Sequence, residues 1–287
     1  MRTFLGSLAL LGCFLCPAVA MATPVDLGGA YKYTVLGAGP TTSPPISFSA
    51  GVLKLGSEAH VFGNAGGRGQ VDLSSGVIID DDLDGGSINA GAGVVIGNQS
   101  TLSQTVWESI YSDLEAASSA AAALPGGVTL TQILGSKTLN TGSSNPSVYN
   151  VAGSITLGSA DTLKIQGGAS DQFVINVGGG MILGSGARIT LDGVQADNVL
   201  FNFTGGGFTH LVDIGAANFQ GNYIGPRMLF KVGDGATMEA TRILGSGFEG
   251  NIQDITPPLL VPEPSTLVLV QLSLTAWALA RRRQARS

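Results

Sequence analysis

Charge is scarce in this 287-residue chain, and cysteine is scarcer. Both cysteines, Cys13 and Cys16, lie in an apolar N-terminal stretch, so a chain that loses this stretch has none. That excludes a disulfide framework, a thiolate nucleophile and a cysteine metal site from the remainder. Histidine is limited to His60 and His210, isolated from each other and read as surface or packing residues, not general bases. There is no G-x-S-x-G elbow, and Gly91 to Gly97 has the wrong spacing for a dinucleotide loop. Between residues 23 and 260 stand nine basic and nineteen acidic residues, a net charge of −10. Such a surface repels polyanions, so nucleic acid is not an expected partner. A lyase for acidic sugars needs clustered cations, and here they are spread from Lys32 to Arg242. Charged residues make up 12% and aromatics 6%, beside 43 glycines. A disordered chain is charged and poorly apolar; this composition suits short strands joined by tight turns.

The two ends read as processing signals. Arg2, the apolar stretch Phe4 to Leu15 and Ala20-Met21-Ala22 form a secretory signal peptide over residues 1–22, for signal peptidase to cut after Ala22. Leu10-Leu11-Gly12-Cys13 is a weak match to a lipoprotein site, after a very short apolar segment. At the other end, residues 261–287 hold Pro262-Glu263-Pro264, an apolar run from Leu267 to Ala280, and Arg281-Arg282-Arg283. Those 14 residues span roughly 21 Å as a helix, short of a ~30 Å hydrocarbon core. A transient inner-membrane anchor, arginines on the cytoplasmic side, fits better than a permanent one. The string resembles the PEP-CTERM sorting signal of Gram-negative bacteria. That resemblance implies an exosortase-type processing enzyme and delivery to the cell surface or extracellular matrix.

Between the ends, one domain of residues 23–260 contains an internal repeat. Leu157-Gly158-Ser159-Ala160-Asp161-Thr162-Leu163-Lys164-Ile165 matches Leu183-Gly184-Ser185-Gly186-Ala187-Arg188-Ile189-Thr190-Leu191 at an offset of 26. The match continues without a gap, setting Phe173, Ile175, Asn176 and Val177 on Val199, Phe201, Asn202 and Phe203. Fragments return at Leu55 to Val61 and Val232 to Met238, with a shorter form at Ile214 to Phe219. Period-two alternation points Leu163, Ile165, Ile189 and Leu191 inward. A mainly β fold follows, an irregular parallel β-helix or solenoid of stacked coils; a hairpin-built β-sandwich gives no reason for the register. Leu102, Val106, Ile110, Leu114, Ala117, Ala121 and Leu124 recur at helical spacing, widened by Trp107 and Tyr111. They predict one long α-helix over about residues 103–124, capped by Ser100 or Thr101, lying on outward-pointing Val174 and Leu200.

The order of these pieces over Leu27 to Ile255 resembles the ice-binding-protein-like domain of microbial secreted proteins. The matching elements are Tyr31 to Gly37, the helix Gln104 to Ala123, Ser147-Val148-Tyr149, Asp171 to Val177, Asn198 to Phe203 and Asn218 to Ile224. The resemblance implies an irregular β-helix with one helix alongside, and a flat solvent-facing side that binds ice in characterised members.

Ice adsorption favours a flat, uncharged face. The outward rows expected here are mixed: Thr162 over Arg188, and Lys164 over Thr190. Thr129, Thr131, Thr138, Thr141, Thr237 and Thr241 offer another face, or simply strand propensity. In-register Asn176 and Asn202 read as a structural amide ladder. Asp80, Asp82 and Asp84 before Gly85 read first as an acidic, solvated turn. A calcium loop is the alternative, although Gly91 stands where an EF-hand needs glutamate. No other cofactor is expected. The reading is an exported, non-enzymatic surface or matrix protein that adheres to extracellular polysaccharide or adsorbs to ice. A secreted carbohydrate-active enzyme, a β-helix lyase or hydrolase, is the rival.

Overall fold

The computed structural model describes residues 24–40, 51–205, 211–215 and 217–257. The segments expected to be a signal peptide and a sorting signal, the latter with Pro262, Glu263, Pro264, Arg281, Arg282 and Arg283, lie outside the described residues, as does His210.

The protein is mainly β with one α-helix, and every strand pairing among the described residues is parallel. Parallel pairing excludes two-residue hairpins between partners, so each strand must find its neighbour one circuit later. Each circuit supplies three short strands, one to each of three faces. The first face stacks Val128–Leu130, Ser147–Val151, Phe173–Val177 and Val199–Phe203. The second stacks Ile133–Leu134, Ile155–Leu157, Met181–Leu183 and Leu211–Ile214. The third stacks Lys137–Asn140, Thr162–Gln166 and Arg188–Asp192. The 26-residue register is present as Leu163 beside Ile189, Ile175 beside Phe201 and Asn176 beside Asn202.

Inward positions form one continuous apolar interior. Leu163, Ile165 and Ile189 are buried in it, and Leu191 is half-buried against it. Aromatics pack on one another within it, with Phe201 stacked on Tyr223 at 4.8 Å and Phe219 edge-on to Tyr223 at 5.4 Å.

Spatial order departs from chain order. The 38-residue extended stretch Asn218–Ile255 continues all three faces. Its last part pairs with the N-terminal strands: Ile243 with Val35, Phe248 with Leu53, and Asp254 with His60. From there the stack continues through Asn64–Leu73 and Ile78–Ala90 to Val95–Ser100. The first and last described circuits are therefore neighbours, and the stack begins and ends in mid-sequence, at Val128 and Ser100. The helix joins these two ends.

That helix spans Gln104–Ala122. Its cap is Ser103, whose hydroxyl accepts from the Val106 N–H, and not Ser100 or Thr101. The later start turns the stripe: Trp107 is buried, whereas Val106 is 44% exposed. Trp107 stacks on Tyr33 at 6.4 Å. Ile110, Leu114, Ala117 and Ala121 complete the face, packed on Leu36, Val174, Leu200, Ile224 and Leu244. Asn202 donates to the Ser118 carbonyl at 2.9 Å, and Asn176 to the Ala121 carbonyl at 3.1 Å. Three helical residues rise ~4.5 Å, close to the ~4.8 Å between strands, so the helix keeps phase with the stack. Asn202 also donates to Asn176 at 2.8 Å, and Asn176 to Asn150 at 3.0 Å. Among the described residues no helix is long and apolar enough to cross a membrane.

Candidate binding faces

The recurrent Leu-Gly-Ser phrase is the corner between the second and third faces. Leu157, Leu183, Ile214 and Val232 stack there as its inward anchors. Three residues after the anchor the backbone turns left-handed, at Ala160 (φ 63°) and Gly186 (φ 75°). Glu58 and Gly235 take the same conformation at equivalent places. Glycines also stack directly at this corner: a Cβ on Gly184 would meet the Gly158 carbonyl carbon at 3.0 Å. Nothing in the spacing of apolar residues announces this constraint; the returning glycine one residue after each Leu was its signal.

The first face lies under the helix, so the second and third are those open to solvent. On the third, Thr162 sits beside Arg188 and Lys164 beside Thr190, in register. Arg188 is exposed, and the other three are half-buried. Lys164 Nζ is 3.0 Å from Asp192, and the Thr162 N–H donates to the Ser136 hydroxyl. Asn140 and Gln166 extend the row beside Asp192, making this face polar and of mixed charge. Of the other threonines, Thr129, Thr131, Thr138, Thr141 and Thr237 are exposed. Thr241 is not available: it is fully buried and donates to the Phe219 and Glu239 carbonyls.

The second face has two parts. Leu134, Thr156 and Ile182 are consecutive outward positions, uncharged, with Leu134 61% and Ile182 54% exposed. Further along, the outward positions include Lys231, Glu249, Lys54 and Asp72, with Lys54 Nζ 3.3 Å from Glu249. Neither row was legible beforehand, because its members come from separate circuits.

Asp80, Asp82 and Asp84 lie in the strand Ile78–Ala90, which replaces the turn or loop expected there. They also diverge. Asp80 contacts His60 at 2.9 Å, and Asp82 accepts from Asn98 at 3.2 Å. Asp84 is buried and accepts from Lys32 and Tyr33, each at 2.7 Å, and from Ser100. Burial pushes the Asp84 carboxyl up, but those three donors outweigh it and hold the group below the ordinary carboxylate range. Desolvation, with Asp84 alongside, pushes the Tyr33 phenol well up. The strand's register against Val95–Ser100 shifts between Ile79 and Asp82, so the three carboxylates meet different neighbours and do not converge as ligands. Among the described residues no group of three or more acidic, histidine or cysteine side chains could hold a metal ion.

Residues 18–253 match a family model described as "Putative Ice-binding-like adhesive domain". No curated protein matches the chain. Among solved structures, it is similar to an ice-binding protein from an Antarctic biological consortium, with 18% identity and a TM-score of 0.57, covering 83% of this chain and 93% of that one. It is likewise similar to the ice-binding protein of the Antarctic ascomycete Antarctomyces psychrotrophicus (18% identity, TM-score 0.55, 83% and 99% covered). An Arctic yeast ice-binding protein with antifreeze activity matches at 16% identity and a TM-score of 0.57, over 85% and 97%. At such identities these likenesses speak to the fold alone.

Proposed function

The chain belongs to the ice-binding-like adhesive domain family, and from that premise we propose that it is an exported, non-enzymatic surface-binding protein. On this reading its fold is an irregular parallel β-helix, and its two open faces adhere to extended surfaces, polysaccharide or ice. Export rests on the two terminal signals: signal peptidase removes residues 1–22, and an exosortase-type enzyme acts at Pro262-Glu263-Pro264. The product reaches the cell surface or matrix after a transient stay in the inner membrane.

One observation carries the binding part. The open faces repeat their outward side chains at the strand spacing on a rigid, closely packed support, as adsorption to a periodic surface requires. The uncharged row Leu134, Thr156 and Ile182 suits ice. The row of Thr162, Lys164, Arg188 and Thr190 suits a hydrated polymer, because its charges hold water in place.

The test is retention of the purified protein on ice and on a polysaccharide panel, with product analysis. Retention without turnover is expected, and Ile182→Lys should abolish retention on ice while Arg188→Ala leaves it intact. A protein that binds neither material sinks this reading, and any turnover of the polysaccharides contradicts it.

A further inference from the structure

The charged part of the second face carries a pattern that no single segment of sequence shows. Two columns of side chains run along the stack over four consecutive circuits. The outer column is Lys231, Glu249, Lys54 and Asp72: cation, anion, cation, anion. The column at the corner is Gly233, Asn251, Gly56 and Ser74, alternating absent and polar side chains. Register places Glu249 beside Lys54 and Lys54 beside Asp72. The Gly56 N–H donates to the Gly250 carbonyl, and Ser74 N–H to the Leu55 carbonyl. Asn251 donates to Asp234 at 2.9 Å, which ties the Lys231 circuit to the Glu249 circuit.

Together these residues line a trough on the surface. Its floor is low because Gly56 and Gly233 contribute no side chains, and a Cβ on Gly56 would collide with the Asn251 side chain at 2.4 Å. Four circuits give a trough roughly 14 Å long at ~4.8 Å per strand. That is about the length of three sugar rings in an extended chain, with each circuit advancing by close to one ring.

We infer that this trough binds an uncharged glycan chain lying along the stack axis. The chemistry runs as follows. A sugar ring presents hydroxyls that both donate and accept. Ammonium groups only donate and carboxylates only accept, so a row alternating between them at ring spacing serves each hydroxyl pair in turn. The four charges of the trough cancel, and Lys54 already pairs with Glu249 at 3.3 Å. A polyanion therefore gains nothing from it, and the acidic surface around it disfavours one. On the flanks, Asp213 stands in register beside Lys231 and Asn89 beside Asp72, and the uncharged Ile182 follows Asp213 one circuit further out.

The inference rests on the adhesive reading above and names the ligand class and the place. Isothermal titration of the full exported protein with neutral, acidic and amino-sugar oligosaccharides of two to six rings tests it. Neutral oligosaccharides are expected to bind, with affinity levelling off near three or four rings and unchanged between low and high salt. Lys54→Ala and Glu249→Gln should each weaken binding about tenfold, from lost charge-assisted hydrogen bonds. Asn251→Leu, which removes the rim amide, should weaken it similarly, and thermal melts of each variant check folding. Arg227→Ala, beside Glu115 of the helix and away from both open faces, should change nothing. Glycan binding that survives all three trough variants, or that only acidic oligosaccharides show and salt abolishes, overturns the trough but leaves the adhesive reading standing. A wild-type protein that binds no glycan and no ice defeats both.

Discussion

Ala160 and Gly186 occupy the same corner of successive circuits, at φ 63° and 75°. Only glycine enters that region without a steric cost, which for other residues is roughly 1 kcal/mol or more. Gly186→Ala has open space for its methyl group, since the nearest atom lies 3.8 Å from the added Cβ. Its cost is therefore conformational, about 1 kcal/mol, read from the midpoint shift in a denaturant titration. The reciprocal Ala160→Gly should hold or raise stability. Equal destabilisation by both would mean that packing, not the backbone, governs the corner. At this scale the sequence was partly legible. The repeating Leu-Gly-Ser was visible, but not that the turn residue two places after the glycine bears the left-handed conformation.

At the scale of the element, the helix shows how a sequence pattern can be right in kind and displaced in detail. Its period, length and position follow from the spacing of Ile110, Leu114, Ala117 and Ala121. Its rotation follows from Trp107, because a ring that stacks on buried Tyr33 outweighs burying the smaller Val106. The amides of Asn176 and Asn202 then lock its axial phase. Asn202 is fully buried, gives and receives hydrogen bonds to Ser118, and donates to Asn176. Asn202→Leu fills the volume yet leaves the Ser118 hydroxyl and the Asn176 carbonyl oxygen without their partner. A loss of about 2 kcal/mol is expected. Hydrogen exchange should quicken over residues 117–122; unchanged protection there would dismiss the phase lock.

At the scale of the whole molecule, the stack is sealed where the first and last described circuits meet. Arg242 lies under the Tyr31 ring at 4.2 Å and bonds Asp197 at 2.7 Å and Asn222 at 3.1 Å, joining the N-terminal segment to two later circuits. Beside it, Ile243, Phe248 and Ile255 pair with the circuits of Val35, Leu53 and Val61. A chain ending at Glu239 loses these partners and bares a row of strand edges on both sides of the seam. We expect it to lose cooperative unfolding in a thermal melt, whereas a repeat stack sealed only by sequential neighbours would tolerate the loss. A sharp transition in the truncated chain would show the halves to be independent. What the sequence determined by itself was whatever depends on neighbours along the chain: period-two strands, a 26-residue register, a helix, the lack of thiol chemistry. The tertiary structure alone decided which distant circuits adjoin, and hence which side chains share a face. It put Asp80, Asp82 and Asp84 in one strand but with three different sets of partners, buried Thr241, and set Lys54 beside Glu249 across 195 residues. The physical reason is that parallel pairing links strands through whole circuits, and when the last circuit docks on the first, no local pattern records the match.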